Sequence, residues 1–253
     1  MSEKTILYHY TSIAGLNSII SSGKVWASDC RYLNDRQELE HALDEAFNSH
    51  NFSRHHCVFS LSRSPQVLSQ WRAYGDDGRG AAIGFDEKFL LRHEKSRFAS
   101  LVTCIYKDHE DFVSDLVIRH EEQIEALLKM HRDSEGDYMA FMKAIDDNPK
   151  PLECLNGELL RIKNLAFAEE QEVRLVVNTP SKQIQTRVTK GLIVPYIEHV
   201  FLEDRDKKQL WIVVPEIWFG PKCDKRNMEA IGAFKQFGWR VGKSLHQYNC
   251  GYI

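Results

Sequence analysis

The stretch Leu7–Ser12, LYHYTS, reads as the end of a strand that runs straight into a helix, with His9, Tyr10 and Thr11 at the junction. Downstream, Thr11–Gly23 (TSIAGLNSIISSG) sets Ile13, Leu16, Ile19 and Ile20 along one helical face. Thr11 or Ser12 is placed to accept from the first-turn N–H groups, and Gly23 suits a left-handed exit. A turn-like RYLNDRQE follows, and Leu39, Leu43, Ala46 and Phe47 predict a second helix. Short, half-apolar runs then predict strands at His56–Ser62 (HCVFSLS), Gly80–Phe85 (GAAIGF) and Ser100–Tyr106 (SLVTCIY). From Asp111 to Asp146 the apolar period is helical, with a break at Asp133–Asp137 and an end at Asn148, Pro149 and Pro151. Strand-like runs return at Glu172–Val177, at GLIVPYI and at EIWFGP, and Asp224 is placed to cap a last helix with Met228, Ile231 and Phe234 inward. Strands, a helical insert, then strands again define an α+β chain rather than a regular βαβ alternation.

No repeat and no Pro/Gly/Ser linker divides the 253 residues, so a single domain over 1–253 with a helical insertion at about 111–146 is expected. A hydrophobic share of 43% and a charged share of 27% exclude a disordered tail or a coiled coil. No apolar run reaches the roughly 18–20 residues of a membrane helix. Met1–Tyr10 carries charges and lacks the apolar segment of a secretion signal, so a cytoplasmic location and no membrane partner are expected. The formal charge of -3 does not indicate a basic nucleic-acid binder. Lys222, Lys225 and Arg226 are read as solvated surface. Cys30, Cys57, Cys104, Cys154, Cys223 and Cys250 lie far apart with no C-x-x-C and read as reduced, mostly buried thiols.

Familiar signatures fail. Gly238–Ser244 (GWRVGKS) is one residue short of a phosphate-binding loop, and GRGAAIG precedes a strand where a dinucleotide fingerprint needs a helix. His55, His56 and Cys57 are adjacent on a strand, so their side chains point to opposite faces and cannot share one metal ion.

Four segments carry polar residues where a plain core would have none. They are LYHYTS, FSLS with Ser60 and Ser62 on one side of a strand, QWRAYGDDGRGAAIGF with Trp71 and Tyr74, and EEQEVRLV, where Glu170, Glu172 and Arg174 alternate along one face. Two carboxylates and a guanidinium on one face are costly to bury unless they pair or hold a ligand. Each segment alone has a plain structural explanation, and their joint occurrence is what points to a site.

In that order, with a late I-x-FGP, the motifs resemble a widespread bacterial family that is catalogued as a domain of unknown function and regarded as ADP-ribosyltransferase-like. The resemblance covers Leu7 to about Pro221. It implies a split β-sheet core and NAD as co-substrate, in the manner of the histidine-tyrosine-glutamate, diphtheria-toxin-like group. It implies His9 on the adenine-side ribose, Tyr74 or Trp71 against the nicotinamide, and Glu172 as the catalytic glutamate of Glu170-Gln171-Glu172. Tyr10, Thr11, Ser60 and Ser62 would line the dinucleotide, with Leu61 where the family carries Thr. Arg72, Arg79 or Arg174 would supply pyrophosphate donors, and Glu170 would activate the acceptor. The implied activity is mono-ADP-ribosyl transfer to a macromolecular acceptor, protein or nucleic acid, in a toxin or phage-defence effector with an antitoxin or defence partner. NAD glycohydrolase, or a non-catalytic nucleotide- or partner-binding module, stands as the alternative. Cleaving the nicotinamide–ribose bond builds oxocarbenium-like charge, which explains a carboxylate and aromatic faces in one place.

Overall fold

The computed structural model describes residues 5–33, 55–91, 98–107, 109–148, 150–179, 183–189, 191–202, 210–231 and 245–252. The predicted helix at Leu39–Phe47, the segment GWRVGKS and Phe234 lie outside these residues. The fold is a mixed α/β one with a mostly antiparallel sheet. Its strands are β1 (Ile6–Thr11), β2 (Lys24–Asp29), β3 (His55–Ser62), β4 (Ala81–Asp86), β5 (Phe98–Thr103), β6 (Ile105–Tyr106), β7 (Ile162–Lys163), β8 (Glu172–Thr179), β9 (Gln185–Thr189), β10 (Leu192–Val200), β11 (Glu216–Phe219) and β12 (Leu245–Gln247).

Two compact units divide the chain. One draws on Met1–Leu33, Phe52–Thr103 and Glu169–Ile253; the other includes Cys104–Ala168. In the first unit ten described strands run in the order β12-β11-β4-β1-β3-β2-β10-β9, with β8 paired to β3 and β5 to β8. The helix Ile13–Ser22 begins where expected: the Ser12 hydroxyl accepts from the Gly15 N–H at 3.1 Å. It ends at Gly23, whose φ of 68 is the left-handed exit. Its Leu16 and Ile20 pack on a core that alternation supplies from Leu7, Phe59, Leu61, Ile83, Phe85, Leu175 and Ile197. On the other face of β1 and β4, the helix Leu68–Ala73 brings Trp71 against Tyr8, Tyr10 and Ala82. All six residues of β4 are therefore buried.

The feature that positions the site is β3. One edge pairs with β8 along its whole length, from His55↔Thr179 to Ser62↔Glu172. The other edge is shared: Ser62 pairs with Tyr8 of β1, whereas Val58 and Cys57 pair with Ser28 and Asp29 of β2. Between them, at Ser60, β1 and β2 part.

The second unit holds the helices His109–Arg119, Glu121–Asp133, Tyr138–Asp147 and Lys150–Leu159 and the β6–β7 pair. Leu116, Leu127, Ile145, Leu155 and Ile162 form its core. The break after Asp133 falls where expected, with Glu135 and Gly136 left-handed and Asp137 accepting from Met139 N at 2.8 Å. Some local expectations change. The helical part does not end at Pro151: a further helix starts at Lys150, and Pro151 sits in its first turn, where a missing N–H leaves no bond unmade. In this part of the chain the unit runs over Cys104–Ala168. Strands β2, β7, β9 and β12 were not expected, and the run SLVTCIY is divided at Cys104. Among the described residues no helix is long and apolar enough to cross a membrane.

Candidate functional site

His9 stands at the parting of β1 and β2. Its ring lies on Phe59 with centroids 4.1 Å apart, and Nδ1 is 3.0 Å from the Ser60 carbonyl oxygen. A carbonyl oxygen only accepts, so Nδ1 carries the ring proton and Nε2 is left as an acceptor. Burial drives the His9 pKa down to about 4; the Ser60 carbonyl opposes this and the charge of Arg187 adds to it. The imidazole is neutral at pH 7.

Glu172 opens β8 opposite Ser62, and Arg174 follows opposite Ser60. Glu172 and Arg174 are each 4% exposed. The guanidinium grips the carboxylate with two donors, Nε to Oε1 and Nη2 to Oε2, both at 3.2 Å. Two charges this deeply buried hold each other in place, and either alone would be strongly destabilising. Glu170 departs from the expected alternation. It ends the 3-10 turn Leu165–Glu170 rather than lying on the strand, and Gln171 between the two glutamates has a left-handed φ of 47. That conformation is uncommon for a residue other than glycine. The turn is tied to β3 from both sides. Arg63 N donates to Gln171 O at 3.1 Å, and the buried Ser62 hydroxyl donates to Glu170 O at 2.7 Å.

The register also assembles a polar row that the sequence did not disclose. Glu172, Ser62, Tyr8, Gly84 and Glu216 are successive cross-strand partners on β8, β3, β1, β4 and β11, and so share a face. Gly84 leaves the space across which the Tyr8 hydroxyl donates to the Glu216 carboxylate; a Cβ there would lie 3.0 Å from Glu216 Cγ. His246 Nε2 is 3.2 Å from the other oxygen of Glu216. Burial, then the Glu216 contact, raises the Tyr8 pKa. Alternation along LYHYT places Tyr8 and Tyr10 opposite His9, but nothing in the sequence says which strands lie beside β1.

The remaining expected residues are placed as follows. The Tyr10 hydroxyl donates to Ser64 O at 2.9 Å and accepts from Val67 N at 3.2 Å, so it anchors the approach to the Trp71 helix. Trp71 is 0% exposed, meets Tyr10 edge-on and donates from Nε1 to Pro65 O at 3.0 Å. It is core and offers no face to a nicotinamide. Tyr74, 37% exposed, is the accessible aromatic of the two. Arg72 lies over the ring of Tyr252 at 4.5 Å. Thr11 ends β1 opposite Ala81, and Ser60 is exposed on the face away from the core. The described residues bring Ser60, Ser62, Glu172 and Arg174 to one face of β3, with Glu170 in the turn tied to Ser62, whereas His9 packs on Phe59 on the opposite face and Arg72 belongs with Tyr252.

No group of three or more metal-ligating side chains occurs among the described residues. Cys57 is in the core and His56 Nδ1 is 2.7 Å from Asn178 Oδ1. All six cysteines are free; four are buried, and Cys154 and Cys250 are exposed. Lys222 is engaged with Asp77 and Arg226 with Asp224, so neither forms part of an uncompensated basic patch.

The comparisons with known proteins bear on part of this region. Residues 70–175, from the Trp71 helix through the first half of β8, match a family described as a protein of unknown function, DUF2971. No curated protein and no solved structure matches the chain.

Proposed function

We propose that the chain is an NAD-dependent mono-ADP-ribosyltransferase that acts on a macromolecular acceptor in the cytoplasm, in a toxin or defence setting. The observation that supports this best is the parted edge of β3, with neutral His9 against Ser60 on one side and Glu172 opposite Ser62 on the other. The resemblance implies a split sheet, and the parting of β1 and β2 at Ser60 is what supports that reading. In the proposed reaction the C1′–N bond of NAD breaks and its electron pair leaves with nicotinamide. Glu172 stabilises the positive charge left on the ribose. A lone pair of the acceptor forms the new bond to C1′, and the acceptor's proton passes to Glu170. His9 Nε2 accepts from a ribose hydroxyl, and Tyr74 stacks on the cationic ring. The ribose 2′-hydroxyl joins or displaces the Arg174 contact to Glu172, so NAD binding remodels that ion pair.

The depth of the Glu172–Arg174 pair also favours a second reading, a module that binds a nucleotide or partner without turnover. Incubation of the purified chain with labelled NAD and a cell lysate separates the readings. Label on protein or nucleic acid supports transfer, and free ADP-ribose alone supports a glycohydrolase. Binding without nicotinamide release supports the module, and neither binding nor release removes all three.

A further inference from the structure

Arg187 on β9 is a half-buried cation without a counter-charge among the described residues. One Nη donates to Ser28 Oγ at 2.8 Å. The guanidinium carbon lies 5.1 Å from the ring centre of Trp26 and 5.4 Å from that of Tyr196, and the two rings are 4.9 Å apart. Its Nε is buried and meets no acceptor among the described residues. A guanidinium stays charged at any ordinary pH, so its burial without an anion is a standing cost. Ser28 pairs with Tyr196 on one side and Val58 on the other, so all three share a face with Ser60, two residues beyond Val58. Arg174 stands opposite Ser60 on that same face. Trp26 follows on β2, 42% exposed.

We propose that Arg187, Ser28 and Trp26 form a subsite for the phosphate of a nucleotide, with the phosphate on the guanidinium and Ser28 and the base on the open Trp26 ring. An anion here satisfies the buried Nε and offers the paired acceptors that a guanidinium fork is shaped for. The subsite rests on the NAD reading for one point only, that the nucleotide is the adenylate half of NAD.

The test is a titration of the full chain with 5′-AMP, with adenosine as the phosphate-free comparison, followed by calorimetry and tryptophan fluorescence. AMP is expected to bind, with adenosine at least about tenfold weaker. Arg187→Gln is expected to weaken AMP by about tenfold or more, and Arg187→Lys by less, because the ammonium keeps the charge but loses the fork. Trp26→Leu is expected to abolish the fluorescence change. Thermal unfolding checks the fold of each variant; if Arg187→Gln does not fold, the contrast between AMP and adenosine on the unmodified chain, together with Trp26→Leu, decides. Equal binding of AMP and adenosine, unchanged AMP binding in folded Arg187→Gln, or no AMP binding overturns the subsite. NAD turnover with an unchanged KM in Arg187→Gln also removes the subsite and leaves the enzymatic reading standing. Arg187-dependent AMP binding in a chain that never releases nicotinamide keeps the subsite and removes the enzymatic reading.

Discussion

The Nδ1 of His9 and the carbonyl oxygen of Ser60 lie 3.0 Å apart at the point where β1 and β2 part along one edge of β3. A strand edge normally finds its partners in a neighbouring strand, and here an imidazole satisfies the carbonyl at the gap. The same contact fixes the tautomer, so a structural bond decides which nitrogen a ligand would meet.

That arrangement makes stability depend on pH. The folded pKa of His9 is about 4 against an ordinary 6.5, so the unfolded chain binds the proton more tightly. The contribution of neutral His9 is fully present above about pH 6.5 and is lost as pH falls towards 4. Denaturant midpoints measured across this range should fall with acidification, and His9→Gln should flatten the slope. An equal slope in both proteins would show that other groups carry the dependence.

The Glu172–Arg174 pair should behave as a unit. Replacing either partner alone by methionine leaves a buried charge and is expected to cost about 3–5 kcal/mol, whereas the double replacement should cost much less. Chemical denaturation of the four proteins of this cycle measures the coupling. Under the proposed reaction, Glu172→Gln should lower nicotinamide release by about 100-fold or more. Retention of a cellular phenotype by Glu172→Gln would instead identify binding as what matters.

Gln171 holds its left-handed φ of 47 between two buried glutamates. Relief of that conformation should let Gln171→Gly raise stability by about 0.5–1 kcal/mol. Gln171→Val should lower it by more than about 1 kcal/mol, since a branched Cβ fits that region worst. Thermal unfolding of the two variants should therefore shift in opposite directions.

Gly80 closes the turn into β4, where a Cβ would lie 2.1 Å from the Thr11 carbonyl oxygen and 2.9 Å from that of Gly75. Both obstacles are backbone and cannot rotate away. Gly80→Ala is expected to cost about 2 kcal/mol or more, read as a lowered melting temperature with the far-ultraviolet spectrum kept.

Short-range chemistry was readable from residue order. The helix after Ser12, its exit at Gly23, the break at Gly136 and the cap at Asp224 all follow from local hydrogen bonding and backbone sterics. The core faces of β3 and β8 followed from alternation. Two of the unexpected strands, KVWASD and QTRVT, are short, carry charges and have exposed faces, so no apolar period marks them. They supply Trp26, Ser28 and Arg187, and no local pattern brings that cluster together. Of the two aromatics that the resemblance offers to the nicotinamide, Trp71 is covered by a second layer that residue order does not show.

Residue order alone determined the types of the strongly patterned strands and helices, the absence of familiar cofactor loops, and the set of polar residues out of place in a core. Only the tertiary structure decided that β3 divides its edge between β1 and β2, that Glu172 is locked to Arg174, and that Tyr8 reaches Glu216 across Gly84. The reason is that periodicity reports which way a side chain points from its own backbone. Which backbone comes to lie beside it depends on pairings between strands far apart in the chain, such as Lys24 with Val200.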